Sequence, residues 1–99
     1  MAGRRSIDDI RNIVAPIASR YGVDRVYLFG SYARNQASAR SDIDLRIDAD
    51  AITDLLELGG LYSDLEEALG QPIDLLTTDS LEKRFLDRIE KEEILIYGQ

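Results

Sequence analysis

The chain of 99 residues has no cysteine and no histidine. The first absence excludes disulfides, thiolate nucleophiles and cysteine zinc sites. The second removes the commonest general base and the commonest transition-metal ligand. Any bound metal must therefore sit among oxygens, which suits magnesium, manganese or calcium. Long apolar runs are also missing. None approaches the roughly 18 residues needed to cross a bilayer, so no membrane association is expected. Met1 to Asp9 carries two arginines but no apolar stretch of a secretory signal, and cytoplasmic residence is the default expectation. Positive charge is in short supply: 12 Lys and Arg stand against 19 acids, for a net charge of −7. A protein that grips a long polyanion shows a basic face, so no long nucleic acid is expected as a partner. A small anion could still be held by a metal and a local backbone pocket.

What remains is the composition of one globular domain spanning residues 1–99, with 44% hydrophobic and 31% charged residues. Ser6 opens a helical pattern with Asp9 three residues on, near to a capping box. Ile7, Ile10, Val14, Ile17 and Tyr21 recur at helical spacing, Pro16 threatens a kink, and Gly22 is placed to end the helix. Arg25 to Phe29 reads as a strand closed abruptly by Gly30-Ser31, with a short helical turn expected from Tyr32 to Gln36. Asp42 to Asp48 alternates, with Asp42, Asp44, Arg46 and Asp48 on one face and Ile43, Leu45 and Ile47 on the other. Thr53 to Leu69 is a helix striped by Leu58, Leu61, Leu65 and Leu69, with a break expected at Gly59-Gly60. Pro72 to Leu76 is a third strand. Asp79 or Ser80 is expected to cap a last helix, and Ile94 to Tyr97 forms a terminal strand or an apolar tail. The fold class expected is α/β (α+β): a small mixed three-stranded sheet in the order α-β-α-β-α-β-α, helices on one face and the other face free for a site.

Two aspartates flanking one residue on a strand put their carboxylates on one face, about 7 Å apart. Their repulsion is unfavourable unless something positive sits there. The pattern alone is weak. With 12 aspartates in 99 residues about one chance Asp-x-Asp is expected, and a second does occur at Asp48-Ala49-Asp50. That second pair lies where the strand ends and the alternation stops. The setting favours the first. Gly30 lacks a Cβ, so a phosphate can approach its backbone. Ser31 offers a hydroxyl and an amide at an expected helix start. Arg34 or Arg40 could add positive charge. Asp74 interrupts the apolar run Pro72-Ile73-Asp74-Leu75-Leu76. If its strand neighbours that of Asp42 and Asp44, three carboxylates share one face. Such an arrangement suits metal-assisted nucleotidyl transfer: magnesium bridging carboxylates and triphosphate, Asp74 or a second ion activating a hydroxyl, and in-line attack expelling pyrophosphate.

Leu28-Phe29-Gly30-Ser31-Tyr32-Ala33-Arg34, followed by Ser41-Asp42-Ile43-Asp44-Leu45, resembles the Gly-Ser-x10-Asp-x-Asp motif of DNA polymerase β-like nucleotidyltransferases. The short length is similar to the minimal nucleotidyltransferases (MNT), the antitoxin halves of HEPN/MNT toxin–antitoxin pairs. The resemblance implies a sheet with Asp74 beside the Asp pair. It implies Asp42, Asp44 and Asp74 as catalytic residues and Mg2+ ligands, and Gly30 and Ser31 in the triphosphate loop. It also implies transfer of AMP from ATP to a tyrosine of a cognate HEPN ribonuclease toxin, with which the chain would form a hetero-oligomer. Asn35 departs from the family, which usually has glycine after the arginine; asparagine tolerates left-handed backbone. Two other functions compete: a non-catalytic antitoxin that neutralises its partner by binding, and a nucleotidyltransferase subunit acting on a small molecule or an RNA end.

Overall fold

The structure, a computed structural model, describes residues 5–99; the reading of Met1 to Arg4 lies outside the described residues. Helix α1 (Ile7–Arg20) starts with a complete capping box. Asp9 N–H donates to Ser6 Oγ at 3.0 Å, and Ser6 N–H donates back to Asp9 Oδ2 at 3.4 Å. The helix runs through Pro16, because Ile10, Val14, Ile17 and Ala18 anchor both sides of the lost hydrogen bond in the core. Gly22 ends it in the left-handed conformation, φ +71°.

Four strands follow in the spatial order β3-β2-β1-β4: β1 (Arg25–Phe29), β2 (Ile43–Asp48), β3 (Ile73–Thr77) and β4 (Ile94–Tyr97). The fourth strand is one more than the three-stranded expectation. Ile94 to Tyr97 resolves as strand, pairing antiparallel with β1. β1 and β2 are antiparallel, β2 and β3 parallel. Val26, Leu28, Ile43, Leu45, Ile47 and Ile73 point to one face and are buried there with the apolar stripes of α1 and α3 (Leu55–Leu69).

Helix α3 does not break at Gly59-Gly60. A Cβ on Gly60 would lie 3.0 Å from the Tyr21 hydroxyl, so this glycine permits the close approach of α1. Nothing lies within 4 Å of a Cβ on Gly59. Gly59→Ala is therefore expected to stabilise the protein by about 1 kcal/mol, through helix propensity and a less flexible unfolded chain. Gly60→Ala should give none of this gain, and thermal denaturation of the two variants compares them directly.

Two further boundaries differ from the sequence reading. The turn after β1, α2, spans Gly30–Ala33 and so starts at the glycine itself, two residues earlier than expected. The last helix, α4 (Lys83–Ile89), begins after Asp79 and Ser80. Those two residues sit in a 3-10 turn, Thr78–Ser80, where Ser80 Oγ donates to Thr77 O at 2.8 Å. The second sheet face is only partly free. Phe85 of α4 meets Phe29 edge to face at 6.1 Å. Arg46, 4% exposed, lies under the Glu90–Glu93 segment. Its guanidinium donates to both Glu93 carboxylate oxygens, at 3.0 and 2.5 Å, donates to Thr78 Oγ1 at 2.8 Å, and covers the Tyr27 ring at 4.0 Å.

Candidate active site

The site stands where β1 ends and β2 and β3 begin. Register places Phe29 opposite Asp44, and Asp44 opposite Asp74. Paired residues at one level of a sheet point to one face, so Asp44 and Asp74 share the face away from the α1 and α3 core. Their carboxyl groups come within hydrogen-bonding reach of each other. Asp42 lies one residue before β2, exposed, and Asp44 feels it as a charge. The structure thus joins Asp44 to Asp74, with Asp42 at the margin. Among the described residues no three acidic side chains are gathered as a ready-made cage for an ion.

Gly30 completes the corner. Its φ of +73° is left-handed, and a Cβ there would collide with the Asp44 carboxylate. Only glycine lets the turn wrap this closely around Asp44. Ser31, half-buried, follows it. Tyr32 is turned into the core, where its hydroxyl accepts a hydrogen bond from Gln71 Nε2 at 2.9 Å. Asn35 has φ +59°, the left-handed backbone that glycine would supply.

A hollow of about 300 Å³ lies between this corner and α4, bordered by Gly30, Ser31, Asp44, Arg34, Arg88 and Glu92. Arg34 reaches it but is already engaged: Nη1 donates to Glu92 Oε2 at 2.9 Å, and Nε to Gln36 Oε1 at 3.1 Å. Arg40 sits in the exposed Ser38–Ser41 loop and does not border the hollow. Glu92 is ion-paired with Arg34 and Glu93 with Arg46. Arg88 and the α4 wall were not singled out from sequence. Their only sequence signal is that Phe85, Arg88 and Glu92 recur at helical spacing. The second pair is of a different kind: Asp48 at the far end of β2 is bound by Arg25 at 2.8 Å, and Asp50 lies beyond the strand.

The Asp44 pKa is pushed up from 3.8 to about 7, chiefly by burial and then by the hydrogen bond and charge of Asp74, with Asp42 adding to it and Arg34 opposing. A folded-state pKa above the unfolded one means the folded protein binds the extra proton. The stability it contributes is complete below about pH 4 and is lost as pH rises through about 7. Ion-free wild type should therefore lose stability relative to Asp44→Asn as pH rises between these values. Melting curves of both across that range test the sign, and a constant gap would contradict it. All the donors are oxygens, and an unneutralised carboxyl pair is where a hard divalent cation is favoured, so the residues fit such an ion.

A left-handed glycine corner faces paired aspartates on adjacent strands, the arrangement expected from the sequence for a nucleotidyltransferase. The chain belongs to the family described as Polymerase beta, Nucleotidyltransferase, whose model matches residues 12–99. Two archaeal relatives cover nearly all of it. A Methanocaldococcus jannaschii protein with the provisional name protein adenylyltransferase MJ0435 is 39% identical over 90% of this chain and 96% of its own. Protein adenylyltransferase MntA of Thermococcus cleftensis is 30% identical over 92% and 96%. Among solved structures, a chain described provisionally as a minimal nucleotidyltransferase superposes with a TM-score of 0.78 at 30% identity, over 91% of this chain and 95% of that one. A chain from a toxin–antitoxin complex with AMP-PNP matches in fold, with a TM-score of 0.78 at 23% identity over 90% of this chain and 73% of that one. Among the described residues no helix is long and apolar enough to cross a membrane.

Proposed function

We propose that this chain is an ATP-dependent protein adenylyltransferase that silences a HEPN-type ribonuclease by transferring AMP to one of its tyrosines, and so acts as an antitoxin. The observation that carries the reading is the Asp44–Asp74 pair held against the Gly30 corner. The adenylyltransferase names of the archaeal relatives support the reaction. Solved complexes of similar fold support the partner, one of them a tri-AMPylated Shewanella oneidensis HEPN toxin with its MNT antitoxin.

In this reading Gly30 and Ser31 cradle the triphosphate with backbone and hydroxyl. Asp42, Asp44 and Asp74 would hold Mg2+, which would supply charge neutralisation for the phosphates. The α-phosphorus is presented in line to the acceptor. The tyrosine oxygen forms a bond to that phosphorus as the bond to pyrophosphate breaks. Asp74, the exposed member of the pair, would take the phenol proton.

The test is to incubate the chain with its HEPN partner, ATP and magnesium, and to read the intact mass of the partner. An AMP-sized increment located on a tyrosine is expected. An unmodified partner in the presence of bound ATP and metal defeats the proposal.

A further inference from the structure

We propose that Arg88 of α4 is the side-chain cation that binds the terminal phosphates of the nucleotide; the proposal rests on the nucleotidyltransferase reading of the same corner. The hollow beside Gly30 and Ser31 is bordered by two cations, Arg34 and Arg88. Arg34 is committed to Glu92 and Gln36. Arg88 is exposed and has no carboxylate within salt-bridge distance among the described residues, although three acids, Asp87, Glu90 and Glu92, lie within four positions of it in sequence. Its side chain borders the hollow together with Asp44 and Ser31.

The electrostatic balance explains why a free guanidinium is needed there. Asp44 borders the hollow with Asp74 and Asp42 acting on it, and the one other cation there, Arg34, is offset by Glu92, so a polyanion meets uncompensated carboxylates in a chain whose net charge is −7. One divalent ion between carboxylates and triphosphate cannot neutralise both. A planar guanidinium can grip two phosphate oxygens at once, which an ammonium cannot. A competing role is available, since Arg88 lies in the last turn of α4, where any cation favours the helix dipole. Lysine would fill that role equally well.

Arg88→Gln and Arg88→Lys separate the two. Titrate ATP and AMP into wild type and each variant with magnesium present, by calorimetry, and record melting temperatures without nucleotide. The expected result is that Arg88→Gln weakens ATP binding about tenfold or more, while AMP binding changes by less than about twofold. Arg88→Lys should recover only part of the ATP affinity. An unchanged ratio of ATP to AMP affinity in Arg88→Gln overturns the assignment, as does full recovery by lysine. A wild type that binds no ATP instead removes the nucleotidyltransferase reading on which the assignment rests.

Discussion

Replacing Asp42 and Asp44 together by alanine is expected to lower AMP transfer about a thousandfold or more while leaving the protein folded. Charge neutralisation at the transferring phosphate is worth several kcal/mol, and each 1.4 kcal/mol or so is a factor of ten in rate. Stability should hold or rise, because the substitutions remove two members of a repelling set: burial and Asp74 already push the Asp44 pKa up to about 7. Asp44→Asn, which keeps shape and removes charge, serves as the conservative control. The readouts are AMP incorporation into the HEPN partner and the melting temperature. The same double variant separates catalysis from masking. If it still protects cells from the toxin, binding alone is sufficient and the enzymatic account of protection fails.

The second large effect is expected away from the chemistry. Arg46→Ala should destabilise the protein by roughly 3–5 kcal/mol, the range for breaking a buried ion pair from one side. For a chain of this size that corresponds to a fall in Tm of roughly 15 °C or more. Arg46 is 4% exposed, and its fork is filled by Glu93, Thr78 and the Tyr27 ring. Burial works against its charge, but the Glu93 carboxylate, with Asp48 and Tyr27, pushes its pKa up. Removing the arginine strands Glu93, whose side chain is only 9% exposed. Replacing both partners by apolar residues, Arg46→Met with Glu93→Leu, should recover most of the loss, because no uncompensated charge remains. A single Arg46→Ala variant that melts within a few degrees of wild type would show the pair to be ornamental. The Arg46 pair also ties the segment after α4 to the sheet, and Glu92 of that segment holds Arg34. Nucleotide affinity should therefore weaken alongside stability.

Local pattern carried much of this fold. The alternation from Asp42 to Asp48 predicted both the strand and its two faces. Asn35 took the left-handed backbone where the family has glycine. The misses are long-range. Nothing near Gly59-Gly60 in sequence announces Tyr21, whose approach explains why a glycine sits at position 60 in an unbroken helix. Ile94 to Tyr97 has no turn linking it to β1, and its pairing spans most of the chain. Asp79 and Ser80 looked like caps because their residue types suit caps, but a 3-10 turn consumed them. Arg88 stayed invisible for a similar reason: one arginine among several charges in a short helix says nothing until the helix is docked over the glycine corner.

Among the described residues β3 occupies the border of the sheet, so Asp74 has a strand neighbour on one side and none on the other. Nucleotide is expected from the α4 side, where the hollow lies, and the rim beyond Asp74 is left as a separate approach. Two reactants arriving from opposite flanks need not pass one another. An acceptor the size of a folded protein can then present a single side chain without entering a cleft. A catalyst arranged this way exerts little selection by size, and choice of target has to be made by surfaces outside the reacting corner.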